Sequence, residues 1–371
     1  MKSLGENSTR IKCSVYWIGC MMMFAVLMTG CTEEKQQGGS VAVEPQLQGI
    51  TALDAKGLQS ARNGNPRTPF PFPGKGKGPF PQPPEPPQTP GVVIPELPAP
   101  GGVFSSPLRV HVTDSGWLLV SDTGRQALLR VDPTTLLPDQ SLRLQDKPLG
   151  VGMLGVEIFV GFAGEQSIRV FSSTGAPRGF LAAPGSIGHP GDIAVDSLQG
   201  WVFALDGLAG LVRVYDAAAR TLIGTLGELS LQAPSGLAVD AARQELLVSD
   251  YGSSTTAASL KIFSYAPGSF GTLAATVSGA GVCGFAGCTG GFSRPRGPAA
   301  RNGRIYIPDV MYKQVLVYDR LTLNKLTVLG SCDASVSDLR LPSDVSIGAA
   351  GDVFVTSTQT QALVVFPGGA P

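Results

Sequence analysis

Aspartates recur at one position of a repeated sequence phrase, and clustered carboxylates can hold a divalent cation or transfer protons. The carboxylates end four short apolar runs, at Asp122, Asp206, Asp250 and Asp309. The corresponding runs elsewhere end in Gly161 and Ser357, which excludes a complete ring of carboxylates. Because Asp also accepts hydrogen bonds from backbone amides in turns, we predict that these four side chains cap turns.

A second set of candidate residues lies two places after a recurring proline. The prolines are Pro107, Pro148, Pro190, Pro234, Pro295 and Pro342, and the residues two places later are Arg109, Gly150, Asp192, Gly236, Gly297 and Asp344. Two aspartates supply too few oxygens for Ca²⁺, which takes about six to eight. Arg109 belongs to the first repeat and Asp344 to the last, so a closed ring would make them neighbours. We expect an ion pair there, and no metal or other cofactor.

Histidine and cysteine offer little further chemistry. The two histidines, His111 and His189, are fewer than the three or four ligands of a usual zinc site, and no phosphate-binding loop or cofactor fingerprint occurs. We expect His111 to pack between repeats and His189 to lie in a loop. The glycine-rich segment from Cys283 to Cys288 favours a disulfide between its ends, although Cys332 could compete for either partner.

The repeats themselves predict the elements that carry these residues. Each phrase contains short runs rich in Val, Leu, Ile and Phe, bounded by Gly, Pro, Asp and Ser, which is typical of β-strands. A spacing of roughly 40–60 residues indicates the blades of a propeller. We therefore predict an all-β, six-bladed β-propeller, each blade made of four antiparallel strands that we name A to D from the axis outwards.

The details of the phrase resemble a known repeat. The segment Pro234-Ser-Gly-Leu-Ala-Val-Asp240, followed by Leu246-Leu-Val-Ser-Asp250, is similar to the NHL repeat, and the resemblance covers roughly residues 92–366. It implies a six-bladed propeller. The NHL family includes enzymes, adaptors and scaffolds, so the resemblance implies little about activity.

The last repeat contains only three apolar runs, so its blade lacks a strand D. Residues 92–97, Val-Val-Ile-Pro-Glu-Leu, form a spare apolar run just before the first blade. We predict that this segment completes blade 6 and closes the ring, with Pro95 tolerated on an outer strand.

The N-terminus has the pattern of an export signal. Lys2, Arg10 and Lys12 precede an apolar stretch at residues 15–28, and the segment Leu27-Met-Thr-Gly-Cys31 resembles the bacterial lipobox. The resemblance implies cleavage before Cys31 and lipidation of that cysteine. We predict a signal peptide at 1–30, a disordered proline-rich stalk at 31–91 and the propeller at 92–371. Thr32 in place of an inner-membrane retention Asp favours the outer membrane, facing the periplasm or the cell surface.

Long loops suggest where a partner would bind. The connection after Tyr251 and the segment from Cys283 to Phe292 are both long, and B–C and D–A connections emerge on the same face of a propeller. The candidate binding face comprises Arg109, Asp192, Tyr251, Phe285, Arg294, Arg296, Tyr312 and Asp344.

The sequence favours a non-catalytic binding or scaffold lipoprotein of the bacterial envelope, with a protein, peptide or glycan as partner. The formal net charge of zero argues against nucleic acid. The alternatives are a metal-dependent hydrolase or lyase with its site at the channel mouth, and a structural subunit of a larger surface assembly.

Overall fold

The structure is a computed structural model. It describes residues 103–279, 291–330 and 339–368, together with the backbone of the two-residue strands β1 (Ile11–Lys12), β2 (Thr32–Glu33) and β3 (Val93–Ile94). The chain divides into two units, Met1–Pro83 and Pro84–Pro371. In the first unit, β1 pairs antiparallel with β2. Apart from these strands, the predicted signal peptide, Cys31 and the proline-rich stalk lie outside the described residues. No helix in the described part of the chain is long and apolar enough to cross a membrane.

The second unit contains six antiparallel sheets arranged as a six-bladed β-propeller, which confirms the predicted fold class. Blade 1 comprises β4 (Pro107–Val112), β5 (Leu118–Asp122), β6 (Ala127–Val131) and β7 (Pro138–Arg143). Blade 2 comprises β8 (Pro148–Leu154), β9 (Glu157–Phe162), β10 (Ser167–Ser172) and β11 (Pro177–Ala182). Blade 3 comprises β12 (Pro190–Asp196), β13 (Trp201–Asp206), β14 (Leu211–Asp216) and β15 (Thr221–Leu226).

The remaining blades follow the same order. Blade 4 comprises β16 (Pro234–Asp240), β17 (Glu245–Asp250), β18 (Ser259–Ala266) and β19 (Ser269–Ser278). Blade 5 comprises β20 (Ala299–Arg301), β21 (Arg304–Asp309), β22 (Gln314–Asp319) and β23 (Lys325–Gly330). The described part of blade 6 comprises β24 (Pro342–Ile347), β25 (Val353–Ser357) and β26 (Ala362–Phe366).

The core lies between neighbouring blades, which explains why the B strands bury nearly every residue rather than alternate residues. Every residue of β13 is buried, whereas the first three residues of the outer strand β15 are exposed. Between blades 3 and 4, Phe203 and Leu205 pack with Leu246, Val248 and Phe263 in one cluster. A strand with neighbours on both faces buries both sets of side chains, so its sequence shows no period of two.

A change of register at the start of strand A sets the direction of the candidate residues. The pairing of strands A and B shifts between the opening proline and Arg109 in blade 1, and between Pro342 and Asp344 in blade 6. Blades 2, 3 and 4 have the same irregularity. Such a bulge re-aims the side chain beside it, so the residue two places after the proline can point at the axis.

The predicted closing strand needs correction. Val93 and Ile94 of β3 pair with Leu142 and Ser141 of β7, so β3 is a fifth strand on blade 1 and not strand D of blade 6. Strands β7 and β26 both lie at outer sheet edges, and any such edge can accept another strand, which is why sequence order alone did not choose between them.

Blade 6 meets blade 1 through packing and hydrogen bonds. Phe104 and Val110 share a core cluster with Phe354 and Leu363. Thr358 Oγ1 donates to the carbonyl of Pro107 at 2.8 Å. These contacts close the ring within the described residues.

Candidate functional site

The six residues that follow the blade prolines by two places meet at the axis, where the backbones approach closely. A Cβ atom added at Gly236 would lie 2.4 Å from Gly297 Cα, and one added at Gly150 would lie 2.7 Å from the carbonyl carbon of Asp192. One added at Gly297 would lie 1.8 Å from Asp344 Oδ1. Only glycine fits at these three positions, because any side chain would collide with the next blade.

Arg109 fills the space that the glycines leave. Its Nε donates to the carbonyl of Gly191 at 3.1 Å, and its Nη2 donates to the carbonyl of Ser235 at 2.8 Å. Its Nη1 donates to the carbonyl of Ser343 at 3.3 Å. One guanidinium from blade 1 therefore binds the backbones of blades 3, 4 and 6, and its side chain is only 3% exposed.

Two aspartates complete this group, which we call the axial plug (Arg109, Asp192 and Asp344). Arg109 Nη1 lies 3.1 Å from Asp192 Oδ2 and 3.4 Å from Asp344 Oδ1. Asp192 Oδ2 also accepts from the amide of Leu237 in blade 4, and Asp344 Oδ2 from the amide of Val110 in blade 1, both at 2.8 Å. Asp192 thus joins blade 3 to blade 4, and Asp344 joins blade 6 to blade 1.

Burial controls the charges within the axial plug. Burial raises the pKa of Asp344 well above the usual carboxyl value, and the charge of Asp192 raises it further. Burial also raises the pKa of Asp192, against the attraction of Arg109. Burial disfavours the charge of Arg109, but Asp192 and Asp344 raise the pKa of its guanidinium overall. The guanidinium therefore stays charged, while burial favours the protonated form of each of the two carboxyl groups.

The axial plug confirms the predicted ion pair between Arg109 and Asp344. The additional ion pair between Arg109 and Asp192 was not predicted, because it requires Arg109 to reach across the ring to blade 3. A divalent cation at this position would face the guanidinium rather than a set of open carboxylates. Within the described residues, no group of three or more His, Cys, Asp or Glu side chains is placed to hold a metal ion.

Beside the axial plug lies the mouth cluster, which we define as Tyr251, Arg294, Arg296 and His189. The guanidinium carbons of Arg294 and Arg296 lie 5.3 Å and 5.6 Å from the centroid of the Tyr251 ring. His189 lies two residues before Gly191, whose carbonyl accepts from Arg109, so the cluster borders the axial plug. Packing of the His189 ring lowers its pKa, and the charges of Arg109 and Arg296 contribute, which leaves this imidazole neutral at pH 7.

The aspartates that end strand B cap turns, as predicted. Asp250 accepts from the amides of Gln232, Ala233 and Gly252 at 2.8–2.9 Å. These donors lie in the D–A loop before the blade and in the B–C turn of the blade itself, so one carboxylate fixes both loops on the same face. Asp122, Asp206 and Asp309 do the same in blades 1, 3 and 5.

The two exceptions to this rule have local causes. A Cβ atom at Gly161 would lie 2.5 Å from the carbonyl oxygen of Pro190, so blade 3 excludes a side chain there. In blade 2, Asp146 of the preceding loop takes the place of the missing aspartate cap and accepts from the amide of Glu165 at 3.0 Å. In blade 6, Ser357 Oγ accepts from the amide of Arg340 at 2.8 Å.

The other predicted residues have different environments. Tyr312 is only 5% exposed, so it contributes to the interior rather than to a contact surface. His111 is half-buried, and burial lowers its pKa to about 4, which fits the expected packing role. Phe285, the predicted Cys283–Cys288 disulfide and Cys332 lie outside the described residues.

The structure adds three exposed apolar side chains that were not predicted on the binding face. Leu208 in the B–C turn of blade 3 is 52% exposed, and Met311 in the corresponding turn of blade 5 is 42% exposed. Leu229 in the D–A loop between blades 3 and 4 projects fully into solvent. An apolar residue in a turn that otherwise holds only Gly and Ala was the sequence signal for Leu208.

Comparison with known proteins supports the fold and no more. No protein-family model and no curated protein matches the chain. Among solved structures, hydrazine synthase of Kuenenia stuttgartiensis is similar over 72% of this chain and 96% of that one, with a TM-score of 0.54 and 11% identity. A gluconolactonase of Xanthomonas campestris is similar over 71% and 86%, with a TM-score of 0.53 and 15% identity. At these identities the likeness shows that the chain shares the propeller fold with them.

Proposed function

We propose that this protein is a non-catalytic binding or scaffold protein of the bacterial envelope, and that it recognises its partner through the face that carries the B–C and D–A loops. The observation that carries the proposal is the axial plug. Arg109 occupies the centre of the ring and is bonded to both buried aspartates. The centre is therefore a structural core, and the surrounding loops form a contact surface.

The chemistry of the axial plug supports binding over catalysis. A catalytic carboxylate has to reach substrate or metal, whereas Asp192 and Asp344 have side chains 5% and 9% exposed. Their oxygens already accept from Arg109 and from backbone amides. Releasing them would leave a buried guanidinium unpaired, which costs several kcal/mol.

The same face has the composition of a recognition surface. Its loops carry the exposed side chains of Leu208, Leu229 and Met311, and also the aromatic ring of Tyr251 with its two arginines. Protein interfaces are enriched in aromatic, Met and Arg side chains. The aspartate caps at the ends of the B strands hold the loops in place, so binding requires little ordering of the backbone.

The anchoring part of the proposal rests on the sequence. Lipidation at Cys31 would hold the protein at a membrane, and about 25 residues of proline-rich chain would extend up to roughly 75 Å between anchor and propeller. The domain could then present its binding face to a protein, peptide or glycan away from the lipid surface. Radiolabelled palmitate should enter the native chain and not a Cys31→Ser variant.

A matched pair of variants on one blade tests the binding face. Leu208 and Leu198 are both exposed leucines of blade 3, but they lie at opposite ends of the sheet, in the B–C and A–B turns. In affinity capture from native membranes, Leu208→Asp should lose the captured partner and Leu198→Asp should retain it. Equal capture by both variants, or loss only with Leu198→Asp, would show that this face does not bind. A stoichiometric divalent metal in the purified protein would instead favour a hydrolase or lyase.

A further inference from the structure

The propeller has a second end, opposite the loop-rich face, which carries the A–B and C–D turns. We infer that this end, which we call the A–B face, contacts the surface of a lipid bilayer and inserts single apolar side chains at its turn tips. The inference goes beyond the proposed function and does not rest on partner binding. An A–B face held at the bilayer would direct the loop-rich face away from the membrane.

The turn tips of the A–B face carry almost no charge. Within the described residues the face comprises six A–B turns and five C–D turns. Among the exposed residues of these described turns only Asp114 and Arg243 are charged, and Arg243 Nε lies 3.6 Å from its neighbour Asp240. The other exposed residues are Gly, Ala, Val, Leu, Pro, Ser, Thr and Asn. Charged side chains keep a protein surface in water, so their scarcity indicates a surface that meets something less polar.

The aspartates that precede two of these tips are bound to the backbone. Asp196 is fully buried and accepts from the amides of Leu198 and Gln199 at 2.8 Å and 3.1 Å. Asp319 accepts from the amides of Leu321 and Thr322 at 3.0 Å and 2.7 Å. Each carboxylate thus fixes the shape of its turn, and a leucine takes the exposed position at the tip.

Four turns of the A–B face expose a branched apolar side chain. These side chains are Leu137, Val156, Leu198 and Leu321, with exposed fractions of 54%, 59%, 71% and 73%. They belong to blades 1, 2, 3 and 5, so they are spread around the ring. A protein interface has a continuous apolar core with a polar rim, which these separate tips do not provide. A bilayer is flat and apolar beneath its headgroups, so it can accept several separate tips at once.

Charged residues at the ends of the strands on this side form ion pairs between blades. Arg220 Nη2 lies 2.8 Å from Glu157 Oε1, and Arg320 pairs with Glu245. A cluster of unpaired basic residues would indicate anionic lipids, whereas paired charges and apolar tips fit zwitterionic headgroups. A few apolar side chains give a weak and reversible contact, so the N-terminal attachment proposed above would hold the face near the bilayer.

A tryptophan at a turn tip measures the contact directly. Leu198→Trp places the indole on the A–B face, and Leu208→Trp places it at the other end of the same blade. The full chain is reconstituted into phosphatidylcholine vesicles with or without bromine on the acyl chains, because bromine quenches tryptophan fluorescence on contact. After subtraction of the emission of the native chain, bromine should reduce the emission of Leu198→Trp at least about twofold. It should leave the emission of Leu208→Trp unchanged.

Removal of the other tips tests whether they act together. Val156→Asp combined with Leu321→Asp should lower the quenching of Leu198→Trp by at least about half, because carboxylates oppose insertion into lipid. Leu229→Asp, which changes an exposed leucine of the loop-rich face, should leave the quenching unchanged. All of these side chains are exposed, so the substitutions remove no core contact.

The possible results separate a lipid surface from other partners. Equal quenching of Leu198→Trp and Leu208→Trp, or none of either, would overturn the inference. Quenching that requires anionic phosphatidylglycerol would also overturn it, since charge would then cause the contact. Dimers in detergent that Leu198→Asp dissociates would assign the A–B face to a second copy of the chain instead. The quenching does not depend on the captured partner, so the binding proposal and this inference can fail independently.

Discussion

Replacing Arg109 with methionine should destabilise the propeller more than any other single change at the axis. Methionine keeps much of the side-chain length but removes the charge and every donor. Arg109→Met would leave the carboxylate of Asp192 buried without a cation, together with the carbonyls of Gly191, Ser235 and Ser343. Removing one partner of a buried ion pair costs about 3–5 kcal/mol.

The size of the effect can be measured by thermal and urea unfolding, followed by circular dichroism. For a domain of this size, about 1 kcal/mol corresponds to roughly 2–4 °C in Tm, so the Tm of Arg109→Met should fall by about 6–20 °C. The loss should shrink at low pH, because protonation removes the charge of Asp192. If Arg109→Met does not fold, Arg109→Lys provides the measurement, since it keeps the charge but cannot reach three carbonyls and two carboxylates at once.

A triple variant distinguishes charge from packing. Arg109→Met combined with Asp192→Asn and Asp344→Asn removes the uncompensated carboxylates while retaining their shapes and one acceptor oxygen each. It should recover more than half of the stability lost in the single variant. A single variant within about 1 kcal/mol of the native protein would refute the buried ion group, and so would a triple variant less stable than the single one.

Three further changes test the same geometry. Gly297→Ala should cost about 3 kcal/mol because its Cβ would meet Asp344, whereas Gly303→Ala, with open space but a positive φ, should cost about 1 kcal/mol in urea unfolding. The pKa of Asp344 is raised by burial in the folded state, so its contribution to stability is fully present below the unfolded pKa of about 4 and is lost as pH rises through the folded pKa. The stability of the native protein relative to Asp344→Asn should therefore fall as pH rises. A constant difference would show that the pKa of Asp344 is the same in the folded and unfolded states. Asp250→Ala removes the acceptor for three amides and the partner of Lys261 and should cost about 3 kcal/mol, against less than about 1 kcal/mol for Asp240→Ala.

The repeat was sufficient to predict the blades, because strand length, proline position and terminal aspartate recur with each blade. The predicted caps at Asp122 and Asp250 are confirmed because their donors lie in loops at fixed distances along the chain. A further regular signal was overlooked. An apolar residue three places before a blade proline is buried in five of the blades, at Phe104, Ile187, Leu231, Phe292 and Leu339.

The arrangement at the axis could not be predicted in full, because it depends on contacts across the ring. Arg109 and Ser235 are 126 residues apart along the chain, yet they share a hydrogen bond. The length of the arginine side chain and the absence of side chains at Gly236 and Gly297 together allow that contact. Val93–Ile94 were misplaced for a related reason, since two residues carry too little pattern to choose between equivalent sheet edges.

The axial positions show how one backbone can serve different functions in a propeller. The bulge after each blade proline aims one side chain at the axis, whatever that side chain is. Several carboxylates or imidazoles at these positions would create a cation site, because nothing would neutralise them. Here three positions carry glycine and one carries arginine, so the two remaining aspartates are bound within the protein. The residue types at these six positions therefore close the centre, and under the proposed function recognition falls to the loops around it.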